Sequence, residues 1–412
     1  MVKRKKKDIF QEFRSTEKSA YTTIKTTLKS VLHNHKEVQP IITNLVFEMN
    51  DLMIHSYQFI RLYVLKCYNN KQPLPEINEK FILYCIKVLG EKTNSGRPEK
   101  DASMLETLQE FYDKEYQPLL NHQKTPLKNK SNMLPYLATQ LHTSLSNNTQ
   151  ERFIQHFLRF INKTTTKITE DKAVLFKFKK QLLDCNEETE PMFDDWKRTH
   201  LPNILPTNIK KSVHYDVKVK PFDYLKGMLY MNSVLEKQES KLFQPLPLRN
   251  NIIPKHIIID TASLINLFCP EKDKDGNKVK KGELLSNVKD NQRDVWINFL
   301  DMKNKIFKNK HYQFHNQIQT DGISCCLLFI RKDLKDKKWG SRVPVLQEQD
   351  FYNIEDLSKE QLDTLKERNI VGCDPGKRSL VYMMDKNGNK LQYTAPQRKK
   401  ESKTKTNQRI SY

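Results

Sequence analysis

The chain has 412 residues, of which 37% are hydrophobic and 29% are charged, a composition typical of a soluble protein that buries cores. Its length predicts two or more domains, because single cores stop growing well below this size. The longest apolar stretch, Val38 to Tyr68, is interrupted by charged residues and is excluded as a membrane span. No signal-peptide pattern opens the sequence, so we expect an intracellular protein with no membrane partner.

The charge balance points to nucleic acid. The chain has 71 Lys and Arg residues against 49 Asp and Glu residues, a formal net charge of +22. Such an excess neutralises phosphates and releases counterions, so RNA or DNA is the expected partner. An AT-rich genome would also inflate Lys and Asn without any ligand, and this alternative stays open. The seven cysteines form no C-x-x-C pair, so no zinc is expected in this chain.

The first 37 residues are predicted to form a basic N-terminal arm. Residues 3–7 are all Lys or Arg, a cluster typical of a nuclear-import signal, of a phosphate-binding arm or of a solvated tail. If the host is a eukaryote, the cluster predicts a nuclear protein.

Residues 38–200 are predicted to form a helical domain. From Ile42 to Val64 apolar residues recur at intervals of three and four, which places them on one face of a long helix. Similar patterns predict helices at 105–120 and 147–162.

Residues 201–335 are predicted to be rich in strands. The alternating segment 213–219 and the β-branched run 257–259 both indicate strands. Residues 314–334 indicate two strands joined by a hairpin turn at Asp321-Gly322. We expect a solvated polar loop near 270–285 and a linker, ending in a short helix, over 336–368.

The last part of the chain is predicted to hold three short strands. The apolar run from Ile370 ends at Asp374, and two more strands are expected at 380–384 and 391–394. Between these two, Asn387-Gly388 is a strong signal for a type I′ hairpin turn.

A tight turn is predicted directly after Asp374. Pro375 sets its own φ at about −65°, and Gly376 is expected to take the positive φ of a type II turn. These residues would hold Asp374 rigidly at its strand end, available to a metal ion or a phosphate. A Walker A loop is excluded, because Gly372 and Gly376 enclose three residues rather than four.

An acid that closes the first of three antiparallel strands serves both ribonuclease-H-like nucleases and actin-like ATPases. The segment "IVGCDPGKRSLVYMMDKNG" (370–388) resembles the first RuvC motif of the Fanzor and TnpB family, the transposon-associated RNA-guided DNA endonucleases. Upstream segments are similar to Fanzor-type segments in the same order, namely residues 132–162, 213–236, 241–264, 295–302 and 314–329.

The resemblance implies an α+β protein with a helical N-terminal recognition lobe, a β-rich wedge-like middle and an incomplete RNase H-like (RuvC) segment over 369–412. It implies guide RNA and DNA as partners, and Asp374 as the catalytic acid that would ligate Mg²⁺, with Pro375 and Gly376 supporting the turn. The candidate nucleic-acid-binding residues of this segment are Lys377, Arg378, Arg398, Lys399 and Lys400.

A RuvC centre also requires a Glu and an Asp from later segments, because two Mg²⁺ ions need several carboxylates. The acids that follow Asp374 in this sequence are Asp385, which is interpreted as a turn residue, and Glu401. We therefore expect a protein truncated after the first RuvC motif that binds nucleic acid but does not cleave it alone. The alternatives are a nuclease completed by a second chain, a non-catalytic RNA- or DNA-binding regulator, and an actin-like ATPase.

Overall fold

The computed structural model describes residues 20–91, 101–185, 190–209, 211–249, 253–269, 281–334, 363, 371–374, 376 and 379–401. The chain divides into two compact units, Met1–Asp336 and Lys337–Tyr412. The described residues combine helices with antiparallel sheets, so the predicted α+β class is confirmed.

Helices fill most of the first unit up to residue 237. They are α1 (His35–Asn69), α2 (Glu79–Leu89), α3 (Ala102–Phe111), α4 (Leu134–Thr164), α5 (Lys172–Leu183), α6 (Asp194–Ile204), α7 (Val213–Val219) and α8 (Leu225–Lys237). A π-helical stretch, Tyr112–Tyr116, and one further turn, Gln117–Leu120, continue α3. The helices predicted from Ile42 to Val64, at 105–120 and at 147–162 are confirmed.

The length of α1 follows from its apolar stripe. Ile42, Leu45, Val46 and Met49 are all buried at intervals of three or four residues, which is the spacing that puts side chains on one helix face. Over 35 residues the helix is about 52 Å long at 1.5 Å per residue. Its buried residues run from Ile42 to Cys67, so nearly the whole helix contributes to the core.

Two hydrophobic clusters of buried side chains make the core of the first unit. The larger cluster joins α1, α2 and α3 to the sheet, and the smaller one joins α5, α6, α7 and α8. The helix α4 belongs to both: Leu134 to Leu145 pack in the larger cluster, and Phe153 to Ile161 pack in the smaller one. Hence α4 ties the two clusters together.

The sheet of the first unit has four antiparallel strands in the order β1-β4-β3-β2. They are β1 (Tyr21–Thr27), β2 (Ile257–Asp260), β3 (Tyr312–Thr320) and β4 (Ser324–Arg331), with α9 (Thr261–Phe268), α10 (Lys281–Ser286) and α11 (Val288–Phe299) between β2 and β3. The predicted strand at 257–259 and the hairpin at Asp321-Gly322 are confirmed, with Gly322 at φ 92°.

The first strand comes from the range that we expected to be a basic arm. β1 pairs with β4 from Tyr21↔Ile330 to Thr27↔Ser324, so this part of the arm is an edge strand. The cluster at residues 3–7 lies outside the described residues, as do residues 270–280 of the polar loop and nearly all of the linker.

The strand predicted at 213–219 is wrong, because this segment is the helix α7. Val213 and Val217 are one helical turn apart, and both are buried in the smaller cluster. Ser212 caps the helix by accepting a hydrogen bond from the Tyr215 amide at 3.3 Å. With α7, α8 and the helices between β2 and β3, the described part of 201–335 contains more helix than the strand-rich pattern predicts.

The second unit contains a three-stranded antiparallel sheet in the order β5-β6-β7. Its elements are β5 (Val371–Asp374), β6 (Ser379–Asp385) and β7 (Lys390–Thr394), followed by α12 (Ala395–Glu401). All three predicted strands are confirmed. No helix among the described residues of the chain is long and apolar enough to cross a membrane.

Both predicted turn types of the second unit are wrong. Gly388 has φ 79°, but Asn387 is not left-handed as a type I′ turn requires. The Gly388 amide donates to the Asp385 carbonyl, and the Asp385 amide donates to the Asn389 carbonyl, the pattern of a three-residue loop with one left-handed glycine. Gly376 has no positive φ either, so it does not close a type II turn.

Candidate functional site

Asp374 is the last residue of β5 and lies beside Tyr382 of the central strand β6. All four residues of β5 are exposed. The Asp374 carboxylate forms no hydrogen bond or ion pair with any residue that the structure describes. It is therefore a solvent-accessible acid at a strand end.

Asp385 lies at the opposite end of the same sheet, because Val371, the first residue of β5, pairs with it. Its carboxylate accepts hydrogen bonds from the Asn387 amide at 2.9 Å, from the Asn389 amide at 2.8 Å and from Asn389 Nδ2 at 2.8 Å. The side-chain bond from Asn389 is the main cause that lowers the pKa of Asp385. The interpretation of Asp385 as a turn residue is confirmed.

These positions do not fit a Mg²⁺ pair. Mg²⁺ prefers six oxygen ligands in octahedral geometry, and a two-ion centre needs several carboxylates within reach. Among the described residues no three His, Cys, Asp or Glu side chains are grouped so that they could hold a metal ion. Asp374 thus has the position of a ligand without the rest of a ligand set.

The remaining predicted residues surround Asp374 only in part. The Gly376 amide donates to the Ser379 carbonyl at 2.9 Å, and a Cβ at Gly376 would lie 3.1 Å from that oxygen. A close backbone approach, rather than a left-handed φ, is the reason for glycine there. Arg398 is exposed on α12, whereas Pro375, Lys377, Arg378 and the side chains of Lys399 and Lys400 lie outside the described part of the chain.

The first unit has a basic groove that the sequence patterns did not predict. It is an open groove along the start of α1, with a volume of about 730 Å³. We define it by its lining residues: Lys29, His35, Lys36, Gln39, Asn44 and Phe47, with Pro40 and Thr43 between them. None of these lining residues is Asp or Glu.

The floor of the basic groove is built by α1 and the hairpin turn between β3 and β4. Gln39 Nε2 donates to the Gly322 carbonyl at 3.1 Å, and Thr43 Oγ1 lies 3.4 Å from the same oxygen. Gly322 is required here, because a Cβ would approach Thr43 Oγ1 to 3.0 Å at a φ of 92°. These contacts hold the groove wall against the sheet.

The groove presents two cations and one aromatic ring to solvent. Lys29 and Lys36 are exposed, and neither forms an ion pair with a described residue. Phe47 is 44% exposed although it lies on a helix with a well-buried stripe. The signal that would have revealed it is the spacing of Lys36, Asn44 and Phe47 on the polar face of α1, where a phenylalanine serves no core.

The comparisons with known proteins assign no function to the chain. Residues 257–331 match a family described as a domain of unknown function, DUF8286. This range begins with the first residue of β2 and ends with the last residue of β4, so it contains three of the four strands of the first sheet. No curated protein matches the chain.

Proposed function

We propose that the chain is a nucleic-acid-binding protein and that the basic groove is one of its contact surfaces. The observation that carries the proposal is a groove with two unpaired lysines, an exposed phenylalanine and no acidic lining residue. The net charge of +22 supports the same partner, because it attracts phosphate over the whole surface.

The chemistry of the groove suits a single strand. Lys29 and Lys36 neutralise backbone phosphates, which contributes affinity without reading sequence. Phe47 offers a ring on which a base can stack, and every base has such a face. Gln39 and Asn44 are held by bonds to the Gly322 carbonyl and to Glu48, so they shape the walls.

The resemblance to Fanzor and TnpB proteins refines the proposal to guide RNA and target DNA of a mobile element. In this form Asp374 is the first acid of a RuvC-like centre. A two-ion mechanism needs several carboxylates, and Asp374 supplies one. The chain alone is thus proposed to bind nucleic acid without cutting it.

The groove is tested by measuring the affinity for single-stranded RNA as a function of salt concentration. Loss of two phosphate contacts in Lys29→Gln/Lys36→Gln is expected to reduce the slope of log K against log salt by about 1.4. The control is Lys172→Gln/Lys237→Gln, which removes two exposed lysines from α5 and α8. Equal slopes for the two double variants would remove the groove from the interface.

The stacking contact is resolved in the same assay. Phe47→Ala is expected to weaken binding by about 1 kcal/mol or more. The matched control Phe176→Ala removes a phenylalanine that is 71% exposed on α5, and it should leave the affinity unchanged. A loss of affinity in both variants would indicate a general effect of surface apolar area.

Cleavage is tested with Mg²⁺, guide RNA and matching DNA. The wild-type chain is expected to leave the DNA uncut, with Asp374→Asn as its matched variant. Cutting by the wild type that Asp374→Asn abolishes would refute the cleavage deficiency and identify a completed nuclease centre. Binding without cutting in both proteins agrees with the proposal.

A further inference from the structure

A second cationic site lies inside the first unit, between α1, α4 and the segment that leads into β2. It is a cavity of about 220 Å³. Its polar lining residues are Asn50, Tyr57, Gln140, Ser144, Arg249, Lys255 and His256. We refer to it as the Arg249 cavity. None of its residues lines the basic groove, so the two sites are separate.

Arg249 is a buried cation that no carboxylate among the described residues contacts. It is 7% exposed, and its terminal nitrogen Nη2 donates to Asn50 Oδ1 at 2.6 Å and to the Ile253 carbonyl at 2.7 Å. Its Nε atom is buried without a hydrogen-bond partner. No carboxylate pairs with it among the described residues, and burial lowers the pKa of Arg249. Burying an unpaired charge is unfavourable, so an anionic ligand would offset that penalty.

Asn50 holds the Arg249 side chain and the Lys255 backbone in place. Its Oδ1 atom accepts from both Arg249 and the Lys255 amide, the latter at 2.9 Å. Its Nδ2 atom donates to the Lys255 carbonyl at 3.0 Å and to the Val46 carbonyl at 2.7 Å. Because Asn50 is buried in the middle of α1, these bonds anchor the Arg249 guanidinium and the Lys255 backbone to that helix. The cavity is therefore preorganised.

The rest of the lining adds donors but no acid. His256 lies on the wall, with its Nε2 atom 2.9 Å from Ser324 Oγ and 3.7 Å from the Asp321 carboxylate. No described lining residue is Asp or Glu. By sequence, residues 250–252, between Arg249 and Ile253, are Asn, Asn and Ile. Arginine and lysine with neutral hydroxyl and amide donors form a donor set that suits phosphate.

We propose that the Arg249 cavity binds a phosphate group, either of a free nucleotide or of a nucleic-acid end. At 220 Å³ the cavity is smaller than pockets for whole drug-sized ligands, which run from about 300 to 1,000 Å³. It therefore has room for the phosphate group and for part of the group that is esterified to it. Met49, Met53 and Leu137 form the apolar side of the wall. Only the nucleic-acid source rests on the proposed function.

The test is calorimetric titration of the full chain with inorganic phosphate, AMP, and a short RNA with either a 5′-phosphate or a 5′-hydroxyl group. Saturable binding of inorganic phosphate is expected. Lys255→Gln changes an exposed residue and should weaken it about tenfold, whereas Arg249→Lys should weaken it more, because lysine lacks the bidentate fork. Circular dichroism identifies any variant that fails to fold, and Lys255→Gln then carries the test.

The source of the phosphate follows from the comparison of ligands. Tighter binding of the 5′-phosphate RNA than of the 5′-hydroxyl RNA, lost in Lys255→Gln, indicates a nucleic-acid end. Binding of AMP with no preference between the two RNAs indicates a nucleotide. Absence of saturable phosphate binding, or equal binding by wild type and Lys255→Gln, overturns the proposal. Lys29→Gln/Lys36→Gln should retain phosphate binding, so failure of the basic groove and failure of this cavity are distinguishable.

Discussion

Three of the described strands end in an aspartate, and the acids of β2 and β5 serve different purposes. Asp260 closes β2 in the first unit, and Asp374 closes β5 in the second. Asp260 Oδ1 accepts from the Ser263 amide at 2.8 Å and caps α9, while its Oδ2 accepts from the Tyr136 hydroxyl at 2.8 Å. Asp374 has neither contact. The same local pattern therefore specifies a structural cap in one unit and an accessible carboxylate in the other.

The surroundings of the two strands explain the difference. Along β2 buried and half-buried residues alternate, because helices cover its sheet, whereas every residue of β5 is exposed. Burial and the bond to Asp260 raise the pKa of Tyr136 to about 12. An acid is held by the fold where its neighbours are buried polar groups. It stays available for a ligand where they are not.

Adding one methyl group to each unit, by a Gly→Ala substitution, is expected to give the largest difference in stability between them. A Cβ at Gly227 of α8 would lie 2.1 Å from the Ile204 carbonyl oxygen, whereas at Gly372 of β5 it would meet only the Met384 carbonyl at 3.8 Å. Gly227→Ala is expected to cost about 4 kcal/mol of unfolding free energy, since backbone cannot yield as a side chain does. Gly372→Ala should change stability by less than about 0.5 kcal/mol.

Urea denaturation measures both alanine variants. Gly282→Ala on α10 is a control within the first unit, because a Cβ there would meet nothing within 4 Å. A loss at Gly372 as large as that at Gly227 would show that the second sheet is packed as tightly as the first unit.

Lowering the pH should also reduce the stability of the first unit more than that of the second. Burial, followed by the neighbouring charges of His55 and Lys124, lowers the pKa of His122 to about 4. Between an unfolded value of 6.5 and this value the unfolded chain binds the extra proton, so stability falls as the pH falls through that window. By pH 4 the loss attributable to His122 is about 3 kcal/mol.

Hydrogen exchange between pH 7 and pH 4 measures this effect in both units, once the intrinsic pH dependence is corrected. The second unit has no histidine in its sequence, so its strands should keep their protection in this window. His122→Gln should remove part of the pH dependence of the first unit. Parallel loss in both units would mean that they unfold together.

Substitutions of Asp260 and Asp374 themselves are expected to have the smallest effect on the free energy of unfolding. Asp260→Ala is expected to cost about 2 kcal/mol, roughly half from the helix cap and half from the unpaired Tyr136 hydroxyl. Asp260→Asn keeps a good cap and should cost less, and Asp374→Ala should cost less than about 0.5 kcal/mol. Thermal and urea denaturation of the three variants measure these changes in the free energy of unfolding. A marked loss in Asp374→Ala would show that this acid is structural as well.

The sequence alone determined the elements whose signals are local. Apolar residues that recur every three or four positions predicted α1. The Asp321-Gly322 pair predicted the hairpin of the first sheet. The three strands around Asp374 followed from their short apolar runs. The Asn387-Gly388 pair placed the turn correctly but not its type, because the Asp385 carboxylate binds two backbone amides of the loop and favours the form with one left-handed residue.

Where two periods fit the same residues, the sequence did not decide. The segment 213–219 alternates like a strand, yet Val213 and Val217 also lie one helical turn apart. As a helix the segment buries both valines in the smaller cluster, and Ser212 caps its start. Likewise, β1 is an edge strand because β4, some 300 residues later, offers it a partner.

Only the tertiary structure brought the binding candidates together. Asn50 and Arg249 are 199 positions apart in the chain, and Gln39 and Gly322 are 283 apart. No local pattern encodes such contacts, since they exist only after the clusters and the sheet have formed. The sequence by itself determined the charge, the long helix α1 and an acid at a strand end. Burial and long-range hydrogen bonds decided that Asp260 caps a helix while Asp374 stays accessible, and that Arg249 is buried beside Asn50.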